Sequence, residues 1–503
     1  MKKWLLTGLA VFAAVLIVVA VGFFTLAPEK IDRAQNKVQP VALDITPAAQ
    51  ALQASLDVAD MHADSLAWKR DLLSRADHGH VDLPRLIEGR YALQVFASFT
   101  KSPKGQNYDS NPSDTDTITN LAIVDLQPPR TWFSLLQRSL WHAEKLRGLA
   151  DASGGRLRLI TTAADVDRLL ADRKGGMVVV GGMLSVEGLH NLEGNIDNLD
   201  VLYAAGFRMA GLTHFFDNEI AGSMHGVAKG GLTPLGRQVV QRMEAKGMVV
   251  DIAHASHATV ADVLAMATRP VVSSHGGVQA TCKVNRNLTD DEIRGVARTG
   301  GVIGIGFWQG AVCSLEPKNV ARAIAHVRDL VGIDYVGLGS DFDGSTTTGF
   351  DASQIVAVTQ ALLTAGFSED DIRKAMGGNV LRVLRAGIVP NGRESGARAD
   401  RRQRERRGVV VMLQAEERGV AAAAAQQVLV APALDDLAAF DHQDRVGMHD
   451  GVQAVRDHDR GAALAEMLDR LLHLLLRLGV ERGGGLVEQD DRGVLDQRAR
   501  HRD

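Results

Sequence analysis

Residues 248–254 read Met-Val-Val-Asp-Ile-Ala-His, a short apolar run that stops on a histidine. A run of this length reads as a strand buried on both faces, as in parallel sheets. Working outward, similar runs occur at Leu56–Met61, Ala92–Phe99, within Met177–Glu187, and at Phe207–Thr213, Pro270–Ser274, Gly301–Gly306 and Tyr335–Gly339. Amphipathic helical patterns over Pro234–Lys246, Ala258–Ala267, Asp290–Thr299 and Lys318–Val331 lie between several of them. Eight strands alternating with helices over roughly 330 residues predict an α/β fold of the (β/α)8 TIM-barrel type, whose usual size is about 250 residues plus insertions. A doubly wound open sheet is the main rival. Ser102–Thr119, rich in Ser, Asp, Asn and Pro, reads as a loop or insertion.

The run at 248–254 ends on His254, and five of the other seven end on a comparable residue. His62-Ala63-Asp64 closes the first, Glu187 the third, His214 the fourth, His275 the sixth and Asp341 the eighth. A lone His-x-Asp pair is weak, and each of these residues has a bland alternative, such as a hydrogen-bonded core histidine. Together they are in phase with the strand ends, and those ends share one face of a barrel, where active sites sit. Three histidines, an aspartate and a glutamate exceed the needs of one tetrahedral zinc. A carboxylate can bridge two ions about 3.5–4 Å apart, and Glu187 is the natural bridge. Imidazole and carboxylate donors without thiolate suit zinc, with manganese or cobalt as alternatives.

The rest of the chain sets the context. Of 503 residues, 46% are hydrophobic and 23% charged, and the net charge of −4 offers no basic stripe for nucleic acid. Leu5 to Ala27 is apolar apart from Thr7, Gly8, Gly22 and Thr25, and follows Lys2 and Lys3. Roughly 20 such residues span a bilayer. Without a convincing cleavage site before Pro28, residues 1–28 are expected to be an uncleaved transmembrane signal anchor, with a cleaved signal as second reading. The two lysines keep the N-terminus cytoplasmic and export the rest. Residues 29–47 read as a polar tether and 48–392 as the barrel domain. The two cysteines, Cys282 and Cys313, are compatible with a disulfide outside the cytoplasm, but spacing alone proves no bond. Residues 401–503 lack Ser, Thr, Asn, Ile, Lys, Tyr, Trp and Cys altogether. Residues 393–503 therefore read as an atypical low-complexity tail, consistent with frameshifted or antisense translation joined near Gly392.

With these residues in view, the chain resembles the membrane (renal) dipeptidase family of metallopeptidases, family M19. The matching stretches are Asp60-Met-His-Ala-Asp64, Ser185-Val-Glu-Gly188, Gly211-Leu-Thr-His214 followed by Asp217-Asn218, Gly231-Leu-Thr-Pro-Leu-Gly236, Asp251-Ile-Ala-His-Ala-Ser256, Ser274-His275, Asn285-Arg-Asn-Leu-Thr-Asp-Asp291 and Gly339-Ser-Asp-Phe-Asp-Gly344. They cover about Leu56 to Val389 in family order. The resemblance implies two Zn2+ per chain: His62 and Asp64 on one ion, His254 and His275 on the other, Glu187 between them. It implies that His214 contacts the substrate near the scissile carbonyl, that Arg286 pairs with the C-terminal carboxylate of a dipeptide, and that Asp341 handles the amino group or a proton. A hydroxide bridging the ions would attack the peptide carbonyl. Cys282 and Cys313 fall close to where relatives form a disulfide, and a homodimer is compatible with the family. Ala63 and Gly276-Gly277 depart from the common pattern without removing a ligand. A related amidohydrolase acting on an N-acyl amino acid, and a non-catalytic membrane-anchored binding protein, are the competing functional readings. His190, His225 and His257 are left as surface or supporting histidines, and Asp343 as a support for Asp341 or, failing that, the cap of a turn.

Overall fold

The computed structural model describes residues 2–388, so the tail read at 393–503 lies outside the described residues. Eight strands, all parallel, close on themselves. They are β1 (Val58–Ala63), β2 (Tyr91–Phe99), β3 (Val180–Glu187), β4 (Phe207–Gly211), β5 (Val249–Asp251), β6 (Val271–Ser273), β7 (Val302–Ile305) and β8 (Val336–Leu338). Closure rests on β8 pairing with β1 through Leu338 and Asp60, and on a long β2–β3 ladder from Leu93–Gly181 to Phe99–Glu187. The closed ring excludes the open-sheet rival. Each strand is buried along its whole length, which explains why the sequence shows apolar runs rather than alternation.

The helical patterns become helices at Pro234–Lys246, His257–Met266, Asp290–Arg298 and Pro317–Val331. Their starts are fixed by capping. Thr233 accepts from the Gly236 amide just before Pro234, and Thr289 with Glu292 forms a reciprocal box. Some strands are shorter than their apolar runs. The run expected over Met248–Ala253 is strand only at Val249–Asp251, because the Asp251 side chain accepts from the amides of Ala253 (2.9 Å) and Ser274 (2.8 Å) and takes the chain out of the ladder.

Two short outlying strands were not anticipated. Leu157–Leu159 pairs with Val180–Gly182 outside the ring, and Lys37–Val38 pairs with Thr347–Thr348. The second bears on the expected tether. The apolar N-terminal run belongs to helix α1 (Lys2–Gln35), which continues through Pro28 and is long and apolar enough to cross a membrane. Its last turns dock on the barrel instead of trailing as a patternless linker over 29–47. Asp32 is buried against Arg70 (2.6 Å) and His78 (3.3 Å), and Asn36 accepts from the Ser345 amide at 3.0 Å. The polar residues of this segment find partners far away in sequence, which is why no local pattern marks them. Cys282 and Cys313 are joined in a disulfide.

Candidate metal centre

The parallel ring brings all the strand ends to one face, and six of the eight strands aim a polar side chain at its centre, from the strand's end or from the residues just after it. His62 lies within β1, and Glu187 is the last residue of β3; His214, His254, His275 and Asp341 follow the ends of β4, β5, β6 and β8. His254 and Asp341 sit in the left-handed backbone region, at φ 62° and 61°. Non-glycine residues rarely adopt it, and it is held here by the surrounding structure. Gly344 is required next to them, since a Cβ there would collide with the carboxylates of Asp341 and Asp64. Gly277, one of the noted departures, lies against the Ala311 carbonyl and leaves no room for a side chain.

Glu187 occupies the middle. Its Oε1 lies 2.9 Å from His254 Nε2 and 3.2 Å from His275 Nε2, and its Oε2 lies 3.7 Å from His62 Nε2. His62 Nε2 is in turn 3.2 Å from Asp64 Oδ2 and 3.9 Å from Asp341 Oδ1. His214 turns Nε2 toward Glu187 Oε1 at 3.6 Å, with Nδ1 3.3 Å from the Lys101 carbonyl. Arg286 reaches the same space, with Nη2 3.3 Å from His254 Nε2 and its guanidinium over the Trp308 ring. The structure thus gathers every residue singled out for the site.

Three carboxylates buried this closely repel. Burial first, then Asp64, pushes the Glu187 carboxyl well up; burial and Asp343 do the same to Asp64. Asp341 is pushed up to about 8, chiefly by burial. The imidazoles of His254 and His275 are driven well down and that of His214 to about 3, all by burial first, so they are neutral donors at neutral pH. Asp64 Oδ1 also has no hydrogen-bond partner among the described residues. Neutral imidazoles around crowded buried carboxyl groups, with ring nitrogens converging at 3.0 Å between His254 and His275, fit a bound divalent cation, whose charge would favour the ionised carboxylates. Three overlapping groups satisfy a ligand geometry: His62, Glu187 and His275; Glu187, His214 and His254; and His62, Asp64 and Asp341.

Several supporting residues carry little sequence signal. Asp60 accepts from the amides of His62 (3.2 Å) and Ser340 (2.9 Å), tying β1 to the β8 loop as Asp251 ties β5 to β6. An aspartate just ahead of a candidate ligand histidine is the one hint available. Tyr108, from the segment read as a loop, accepts from Trp308 Nε1 at 2.9 Å and stacks on Phe215. His225 is buried beside His254, and His190 is buried with Nε2 3.0 Å from Thr100 Oγ1, so neither is a surface histidine. The Asp343 carboxylate takes its hydrogen bonds and ion pair elsewhere than Asp341, pairing with Arg70 at 2.8 Å.

A parallel barrel whose mouth gathers imidazoles and carboxylates defines the class of metal-dependent hydrolases. Within it, the chain belongs to the membrane dipeptidase family (peptidase family M19), whose model matches residues 47–391. It is similar to the dipeptidase aclJ of Aspergillus oryzae, 30% identical over 74% of this chain and 87% of that protein. It is also similar to the dipeptidase tcpJ of Claviceps purpurea, 31% identical over 61% of this chain and 69% of that one. Among solved structures, a metallo peptidase from Rhodobacter sphaeroides, liganded with a phosphinate mimic of the dipeptide L-Ala-D-Ala, is 25% identical with a TM-score of 0.56, covering 66% of this chain and 99% of that one. The chain is thus a TIM-barrel hydrolase of a metallopeptidase family.

Proposed function

We propose that this protein hydrolyses dipeptides at a two-zinc centre, with His62 and Asp64 on one ion, His254 and His275 on the other, and Glu187 between them. The observation that carries the reading is the position of Glu187, whose two oxygens face separate donor groups. When bound, the ions supply Lewis-acid polarisation of the peptide carbonyl and a water nucleophile at neutral pH. The chain's own residues do the rest. Arg286 offers a fork for the substrate's C-terminal carboxylate. Asp341 holds the α-amino group or carries a proton on its carboxylate to the leaving amine. His214 lines the scissile carbonyl. A cationic and an anionic anchor at the two ends of a closed, buried site measure a dipeptide and reject longer chains. The phosphinate mimic of a dipeptide bound by the Rhodobacter relative is in keeping with this.

The test is hydrolysis of L-L and L-D dipeptides, tripeptides and N-acyl amino acids by purified, zinc-loaded protein, beside elemental analysis. Dipeptide cleavage with two zinc ions per chain is expected. Tripeptides cleaved equally fast would overturn the anchor model, and exclusive turnover of N-acyl amino acids would replace the substrate class. The same reading sets α1 across the bilayer with Lys2 and Lys3 on the cytoplasmic side and the barrel exported.

A further inference from the structure

The exposure of α1 changes along its length. Trp4, Leu5, Leu6, Val11, Phe12, Val15, Leu16, Ile17, Val18 and Val21 are exposed, whereas Ala27, Pro28, Asp32 and Asn36 are buried on the barrel. The exposed part, Trp4 to Val21, rises about 27 Å, close to the thickness of a hydrocarbon core of about 30 Å. No spacer separates it from the barrel: the Lys69 ammonium donates to the Phe24 carbonyl at 3.4 Å. What α1 touches is the face that carries the metal centre. Its contacts are the loop after β1 (Arg70, Asp77, His78), the loop after β8 (Ser345) and the insertion after β2, where Ile31 joins Ile118 and Leu121 around Trp68 and Phe99.

That insertion carries two large apolar side chains that no described residue covers. Phe133 is 88% exposed and Leu126 57% exposed. Leu126 is held at φ 54°, a conformation unfavourable for leucine, next to Asp125, which lies within electrostatic reach of Lys69 and Asp32 at the base of α1. The segment is tied down by hydrogen bonds. The buried Arg138 guanidinium donates to the Thr131 carbonyl at 2.6 Å and to Asp116 Oδ2 at 2.6 Å, and stitches the insertion to β2 through the Thr100 carbonyl at 2.5 Å. Exposed apolar residues on a fixed frame, on the face from which an apolar helix departs, suit a lipid interface.

We propose that the rim formed by residues 118–133 is a membrane contact, in which Leu126 and Phe133 enter the headgroup zone of the bilayer and hold the metal-centre face down against it. The inference rests on the reading of α1 as a spanning helix. The partner is a phospholipid surface. In full-length protein reconstituted into phosphatidylcholine–phosphatidylglycerol vesicles, an environment-sensitive fluorophore is placed on Phe133→Cys, Val18→Cys or Val178→Cys; the native cysteines are paired and do not compete. Val178, exposed ahead of β3 at the opposite end of the barrel, is the solvent reference. Lipids carrying a nitroxide near the headgroup should quench position 133 several-fold more than position 178, and lipids carrying it deep in the chain should quench position 18. Position 133 behaving as position 178 while 18 is quenched would overturn the rim contact and leave the anchor standing. Position 18 unquenched would remove the anchor and the rim contact with it. A blue-shifted label at 133 that no lipid quencher reaches would mean that a second copy covers the patch, which also overturns the proposal.

Discussion

Asp341 and Asp343 stand two residues apart on the loop after β8, and each is buried in a cluster of carboxylate and histidine, yet the clusters are built in opposite ways. Around Asp343 the carboxylate is paired and fully hydrogen-bonded. Arg70 lies 2.8 Å away and bridges to Asp32 at 2.6 Å, the Ser65 hydroxyl donates at 2.6 Å, and the His80 amide donates at 2.7 Å. Burial alone would raise the Asp343 carboxyl, but Arg70, His80 and Ser65 together hold it below its usual range. His80 accepts from the Asp343 amide on Nδ1, so its Nε2 carries the proton and donates to the Lys37 carbonyl, locking the short strand that follows α1 to this loop. Around Asp341 no such pairing exists: Asp64 and Glu187 add like charge, Arg286 is the one nearby guanidinium among the described residues, and the carboxyls are driven up. A buried carboxylate paired with its own guanidinium is a finished piece of structure, whereas crowded carboxyls among neutral imidazoles have the chemistry that suits a bound cation.

The contrast breaks most visibly at Arg70. Arg70→Met should cost about 3–5 kcal/mol in denaturant unfolding, since it strands two buried carboxylates, while folded protein still binds metal. Intact stability with lost metal would reverse the two assignments. The acid limb of the same measurement should change too. A depressed carboxyl contributes stability above its unfolded pKa of about 3.9, lost as pH falls through the lower folded value. Without Arg70 burial dominates, and stability from Asp343 should instead fall as pH rises past that point. Next in size is Glu187→Gln. Hydrolysis should drop by about 10²–10³-fold or more, the scale of losing one preorganised polar group at a reacting centre, and bound metal should fall with it. Metal-free stability should hold or rise, because a repelling carboxylate is gone. A Gln variant with full metal content and full activity would refute the bridging role.

How much of this was legible depends on whether the signal is local. The eight strands were readable because parallel barrel strands are buried on both faces, and the residues at their ends because a barrel makes those ends converge. The docking of α1 was not: Asp32, Asn36 and Lys37 find partners at Arg70, Ser345 and His80, and nothing near them in sequence announces it. The strand Leu157–Leu159 escaped because Leu-Arg-Leu is too short to carry a pattern. Tyr108 escaped because it enters the site from an irregular polar segment, and His225 because burial beside His254 is a tertiary fact.

A smaller effect is expected at Arg286, which sits near the site's donors without belonging to either charge balance. Arg286→Lys keeps the charge and loses the fork. A charge-assisted hydrogen bond is worth about 1.5–3 kcal/mol, so kcat/KM for dipeptides should fall about 10–100-fold, with zinc content unchanged. Equal losses for a substrate whose C-terminus is amidated would show that Arg286 does not read the carboxylate.

The smallest effect is expected where the same two chemical groups meet in water. His257 Nδ1 lies 2.6 Å from Glu292 Oε1, closer than any imidazole–carboxylate pair in the metal centre, but the His257 side chain is 51% exposed. Solvent screens such a pair to about 0–1 kcal/mol, and Glu292 keeps its capping bonds to Thr289 without it. His257→Ala should therefore leave the thermal midpoint within a few degrees and dipeptide hydrolysis unchanged. A loss comparable to that of Glu187→Gln would mean that proximity, not burial without a cation, separates the structural from the functional pairs in this barrel.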